Sequence, residues 1–308
     1  VHRLAVLTAG ATVALIFVGG AVTNTGSGLA VPDWPTTFGQ NMFLYPPTEW
    51  VGGILYEHSH RLLGALVGLL TVILAGGLWV TDGPRWLRWV GVVAVLAVIG
   101  QGVLGGLRVV LLKQTLAVVH GIIAQAFFGL TVALSVWTSP GWDEACRGRG
   151  RGAAATAEVK ALRRLCAVTT CLVFLQIVAG VLVTHTGRQL QTHLVFAALL
   201  AVCGFWLVAR VLGSHWGQPW LARPARALAG LLMLQLFLGL AAYLARFTAL
   251  GGASMAPWLT LAIPLVHRVV GTLLLGTALL LVLRAARFPA MLAAAPQGAG
   301  AVPRRVPA

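Results

Sequence analysis

The sequence predicts an all-α, polytopic membrane protein: eight transmembrane helices arranged as two similar four-helix bundles. Three observations predict it. Of 308 residues, 58% are hydrophobic and only 9% charged, against about a quarter charged in soluble domains. Apolar runs of about 20 residues, enough to cross a bilayer, recur along the whole chain, which excludes a lone signal peptide ahead of a soluble domain. Basic residues gather in the short loops between those runs, where they act as topology signals. The net charge of +15 therefore does not point to nucleic acid.

The spans follow in order. The first covers 4–23, behind Arg3. The second, 58–80, emerges from a long loop, 24–56, that holds no Lys or Arg. The third, 88–107, opens at Arg85 and Arg88 and closes at Arg108, and the fourth, 116–137, follows Lys113. The fifth, 162–183, emerges from a cationic cluster running from Arg147 to Arg164 and is followed by Arg188. The sixth, 192–212, ends around Arg210; the seventh, 225–245, lies between Arg223 and Arg246; the eighth, 262–283, stops before Arg284 and Arg287.

Orientation follows from the same cations. Arg3, Arg85, Arg88, the 147–164 cluster, Arg210, Arg223, Arg226, Arg284 and Arg287 fall on one side. The other receives Arg108, Lys113, Arg188 and Arg246, with Arg61 and Arg268 near helix ends. Basic loops stay cytoplasmic, so both termini are expected in the cytoplasm and loop 24–56 outside. The segment 139–160, where Gly148, Gly150 and Gly152 alternate with arginines, reads as a cytoplasmic linker between halves 1–138 and 161–287. The tail 288–308, rich in Ala, Pro and Gly, reads as disordered. Cys146, Cys166, Cys171 and Cys203 suggest no disulfide or CxxC metal site. They read as small apolar residues in helices, apart from Cys146 at a loop edge.

An internal repeat crosses this plan. Gln101 to Gly105, Gln176 to Gly180 and Gln235 to Gly239 each read Gln-x-x-x-Gly near the outer end of an odd-numbered span. The first span offers Gly20 in the matching place, with Ile16 instead of Gln. Each re-entering helix then carries a histidine in its first turns: His60, His120, His193 and His267. The unit is a helical hairpin with a small residue going out and a histidine coming back, repeated four times.

An ionisable residue inside a membrane is a functional hypothesis by default, although any one histidine could be a satisfied helix-end residue. Neutral imidazole ligates haem iron, two histidines on facing helices can hold one iron from both sides, and an apolar ring fits between helices. Arg61 and Arg268 each follow one of these histidines and are candidate partners for haem propionates, or anchors of helix ends at the interface. No His/Cys/Asp/Glu cluster has zinc-site spacing, apart from the segment 57–60. Of the remaining histidines, His2 and His215 read as solvated, His58 as pointing off the face of His60, and His185 as the rival of His193.

Glu57 breaks the repeat. It lies three residues before His60 and shares its helix face, whereas the matching positions elsewhere are Ala117, Leu190 and Pro264. It reads as catalytic, or as a helix-terminal charge favoured by the dipole. A membrane b-type cytochrome that only relays electrons fits the four histidines equally well but gives Glu57 no role. A transporter with inverted repeats is disfavoured, because the halves share one topology and the histidines cluster near one surface.

Glu57-His58-Ser59-His60-Arg61 resembles the Glu-x-x-His-Arg motif of the haem A synthase family, and residues 26–35, Gly-Ser-Gly-Leu-Ala-Val-Pro-Asp-Trp-Pro, resemble that family's first outer loop. The resemblance covers about residues 1–285. It implies an oxidoreductase of the cell membrane that oxidises a ring methyl of haem O to a formyl group, giving haem A for cytochrome oxidase assembly. By resemblance, His60 and His120 hold the substrate haem in the first half, Glu57 is the catalytic acid, and His193 and His267 ligate a haem b cofactor in the second. The implied partners are haem O, membrane lipid, an unidentified electron-transfer partner and haem O synthase. Many members carry a cysteine pair flanking the Pro-Asp-Trp-Pro segment; here Val31 stands at the first position and Thr36, Thr37 and Phe38 follow the second proline.

Overall fold

The computed structural model describes residues 1–142, 157–248 and 255–294, with side chains to 287 in the last segment. Cys146, the Gly148–Gly152 part of the linker and residues 295–308 of the tail lie outside the described residues. Eight helices among the described residues are long and apolar enough to cross a membrane: α1 His2–Asn24, α2 Gly53–Val80, α3 Arg85–Leu111, α4 Gln114–Trp137, α5 Ala157–Thr186, α6 Leu190–His215, α7 Pro219–Phe247 and α8 Pro257–Ala294. The chain is an all-helical, multi-pass membrane protein. Every helix overruns its apolar run by a few residues, since backbone hydrogen bonding continues into the polar flanks. The last helix continues to Ala294, into the stretch read as tail.

Large apolar side chains that a soluble protein would bury, such as Leu7, Phe17, Leu69, Val202 and Phe237, lie exposed on the helix surfaces. This is the surface a lipid solvent accepts. Connections on one side are tight. Leu112 adopts φ 52° between α3 and α4, and Gly187 and Gln189 adopt 68° and 70° between α5 and α6. The same side carries the long loop 25–52, with a short 3-10 turn at Pro47–Glu49; we call it the loop side.

Within the first half α1 packs on α2 and α4, and α3 on α2 and α4; within the second, α5 packs on α6 and α8, and α7 on α6 and α8. A seam joins the halves through α1–α8, α4–α8 and α4–α5. Small residues let it close: a Cβ at Gly276 of α8 would stand 3.1 Å from the Phe128 ring of α4. Each half has an apolar core of its own. Ala5, Leu74, Leu78, Leu87, Ala94 and Leu134 form one; Leu162, Val173, Leu207, Leu228, Leu274 and Leu281 belong to the other. Both cores fill the end remote from the loop side. The histidines of α2, α4, α6 and α8 lie above them, at the loop-side end.

Candidate functional site: two histidine pairs

The four repeat histidines meet in two pairs, one per half. His60 faces His120 with ring centroids 6.4 Å apart and planes at 79°; His193 faces His267 at 6.3 Å and 74°. Metal–imidazole bonds of about 2 Å, on opposite sides of one iron, put the ring centroids about 6 Å apart, so both pairs suit an iron between them.

The glycine of each hairpin explains where the ring lies. A Cβ on Gly19, Gly105, Gly180 or Gly239 would come within 2.8, 3.3, 3.1 and 3.2 Å of Cε1 of His60, His120, His193 and His267, respectively. Each imidazole thus lies on bare backbone of the preceding helix. In the first hairpin that glycine is Gly19, not Gly20. Gly20 instead receives Leu265 and Arg268 of α8, because it faces the seam. With Gly19 as reference, the position four residues earlier is Leu15 rather than Ile16, and the repeat is consistent. The ring of each histidine lies beside the carbonyl of that position: Leu15, Gln101, Gln176 or Gln235. The His193 Nδ1 to Gln176 O contact is a hydrogen bond of 3.1 Å. An Nδ1–H held by a carbonyl leaves Nε2 as the ligating nitrogen.

In the second half the side chains of Gln176 and Gln235 also approach, each with Nε2 3.3 Å from the Nε2 of His193 or His267. In the first half Gln101 turns away, and its amide donates to the His120 carbonyl at 3.2 Å. Nδ1 of His60, His120 and His267 and Oε1 of all three glutamines are buried without a hydrogen-bond partner. Polar atoms left so are exceptional in packed protein. With the Nδ1 edges turned to the backbone, the glycine cradles and the facing rings fit a flat ligand carrying its own metal.

Over the first pair lies the loop. Glu57, 4% exposed, sits inside α2 and caps nothing. Its Oε2 accepts from the Val31 N–H at 2.9 Å and its Oε1 from Arg61 at 3.0 Å. Arg61 donates further to the carbonyls of Asp33, Thr36 and Val31 at 2.7, 2.9 and 3.0 Å. Asp33 closes the loop tip, accepting from the Thr36 hydroxyl at 2.5 Å and from the Phe38 and Gly39 amides at 2.8 Å each. Burial pushes the Asp33 carboxyl up, but these hydrogen bonds, led by Thr36, outweigh it and hold the group below its ordinary value. The Trp34 ring lies on Gly106, where no Cβ would fit.

Residues 2–192 match the family model described as COX15-CtaA, cytochrome oxidase assembly protein. The chain belongs to this family. It is also similar to three proteins named heme A synthase. Identity is 39% over 111 residues with that of Shouchella clausii, 34% over 125 residues with that of Alkalihalophilus pseudofirmus, and 27% over 348 residues with that of Methylobacterium sp. strain 4-46. Those alignments cover 35%, 39% and 90% of this chain. The chain spans 35% and 41% of the first two relatives and 93% of the third.

In this COX15-CtaA member the other sequence-predicted residues fall as follows. His185 is not part of a pair; its carbonyl accepts from Gln114 of α4 across the seam. His58 is fully buried under the loop, its Nδ1 3.2 Å from the Thr37 hydroxyl and its ring against Trp50 and Tyr45. His2 is not simply solvated, since Nδ1 lies 2.9 Å from the Ser135 carbonyl of α4. Both terminal nitrogens of Arg61 are engaged by the loop and Glu57. Arg268 lies in the seam, 3.3 Å from the Asn24 side chain. Arg108, read from sequence only as a loop cation, lies over the first pair, within electrostatic reach of Glu57, His60 and His120. Three-residue spacing would have found it, because it stands one turn beyond Gly105 on the same helix face.

Proposed function

We propose that this chain is a haem A synthase, a membrane oxidoreductase that converts a ring methyl of haem O to the formyl group of haem A for cytochrome oxidase assembly. One observation carries the reading. The two histidine pairs are alike in spacing and glycine seating, yet only the first has a buried carboxylate one turn away on the same helix. The names of the relatives point the same way.

His60 and His120 hold the substrate ring from its two faces, and Gly19 and Gly105 set their depth. Converting a methyl to a formyl group takes two successive oxidations and passes through a hydrate that loses water. Protons leaving that carbon need an acceptor. A carboxylate has about four lone-pair sites; Glu57 uses two, on Val31 and Arg61, and keeps the others for the methyl group or the water beside it. Arg61 and the Val31 amide fix that carboxylate, and the loop excludes bulk water from it. His193 and His267 would hold a haem b, which supplies one-electron redox chemistry. Gln176 and Gln235 flank these ligands, and Arg268 is the cation beside them for a propionate. The distribution of cations supports the cell membrane, cytoplasmic termini and an outer loop 25–52. Membrane lipid, an electron-transfer partner and haem O synthase as supplier complete the assignment.

The test is to express Glu57→Gln and the parent protein with a source of haem O and to analyse extracted haems. The parent should yield haem A, and Glu57→Gln should lower it at least a hundredfold with haem b retained. Haem b without haem A under every condition means a b-type cytochrome that relays electrons. No haem at all rejects both readings.

A further inference from the structure

Arg108 is a half-buried guanidinium, and Glu57, the carboxylate within its electrostatic reach, is already paired with Arg61. Among the described residues it takes part in no hydrogen bond or ion pair, and the one salt bridge is Glu57–Arg61. The loop has been shaped round it, since a Cβ on Gly28 would overlap its guanidinium. It projects from α3 one turn nearer the loop side than Gly105, which seats His120. The equivalent positions after the other three seating glycines are Val22, Val183 and Ala242, so this cation is a single addition to a repeated frame. His185 lies within electrostatic reach of both Arg108 and Arg268.

We propose that Arg108 is the carboxylate-binding residue of the first-half site and takes a propionate at the edge of the bound porphyrin. The proposal rests on the haem reading above and adds the recognition of the ring edge. A guanidinium offers five donors in a planar fork that matches a carboxylate, and such charge-assisted pairs are the stronger class of hydrogen bond. Arg61 cannot serve in its present arrangement, because the terminal nitrogens of its fork are closed by three loop carbonyls and Glu57.

The experiment titrates the full-length protein, depleted of haem in lipid-free detergent, with iron protoporphyrin and with its dimethyl ester. Binding is followed in the Soret band. The parent protein should bind the free acid more tightly than the ester at both sites. Arg108→Leu should weaken the free acid at one site on the order of ten- to a hundredfold, leave the ester unchanged there, and leave the other site alone. Arg108→Lys should keep part of the preference, and Gly28→Ala, which displaces the guanidinium without removing it, should reduce it. An unchanged preference in Arg108→Leu overturns the proposal, as does an equal loss with acid and ester. If Arg108→Leu does not fold, an unchanged preference in both Arg108→Lys and Gly28→Ala overturns it. Loss of the preference in Arg61→Leu, with Arg108→Leu like the parent, gives the role to Arg61. A parent protein that binds neither porphyrin rejects the haem reading itself; one that binds both equally rejects only the carboxylate role.

Discussion

A histidine resting on bare backbone is adjusted by the residue beneath it, so the seating glycines are where single atoms matter most. Gly19→Ala places a methyl group 2.8 Å from Cε1 of His60, and the imidazole must shift from its place opposite His120. The expected outcome is at least tenfold weaker haem binding in the first half with the second half unaffected, since overpacking displaces neighbours. Absorbance difference spectra of the purified variant check this. Gly68→Ala on α2, with open space around the new methyl, should match the parent. At this scale the sequence was informative where one residue type recurs. His60, His120, His193 and His267 were readable because an imidazole in an apolar run is rare and four in step are rarer. Gly19 was misread as Gly20, because without a Gln four residues before it the first helix carries no register mark. Arg108 was legible only through its spacing from Gly105; the approach of Gly28, from a loop many residues away, was not.

Among the elements, the loop 25–52 depends on two carboxylates. Asp33 has a folded-state pKa below its ordinary value, the net result of burial opposed by stronger hydrogen bonds from Thr36, Phe38 and Gly39. Its contribution is therefore complete at neutral pH and is lost as pH falls through the folded-state value. Hydrogen exchange measured down a pH series, corrected for intrinsic rates, should show the Phe38 and Gly39 amides losing protection at the acid end. The amides inside α2 should keep theirs. Asp33→Asn should show weak protection of the same two amides at all pH values. The helices themselves were legible from apolar run length, and only their ends moved. The loop's internal bonding was not legible, because backbone carbonyls carry no sequence signature. That Arg61 serves three of them follows only from how the chain returns over α2.

For the whole molecule, the proposed orientation, with the cation-rich side in the cytoplasm, has the loop, the histidine layer and Arg108 toward the outer face. A cysteine introduced at Thr48, an exposed position of that loop, should react with a membrane-impermeant maleimide in intact cells. The parent protein, with its own Cys146, Cys166, Cys171 and Cys203, provides the background. Labelling of Thr48→Cys only after the cells are opened would reverse the topology. The hairpin repeat was visible in the sequence, but the seam was not, since Gly276 against Phe128 looks like any glycine in an apolar run. The division of each half into an apolar floor and a polar upper layer has a consequence for turnover. If the proposed function holds, the protein takes in a large flat molecule and lets a barely altered one go, and its fold must not depend on that molecule. Leu74, Leu134, Leu207 and Leu281 are buried by neighbouring helices alone, so the floor does not depend on what the upper layer holds. On the proposed function, such a scaffold would accept a ring after insertion and release one without coming apart.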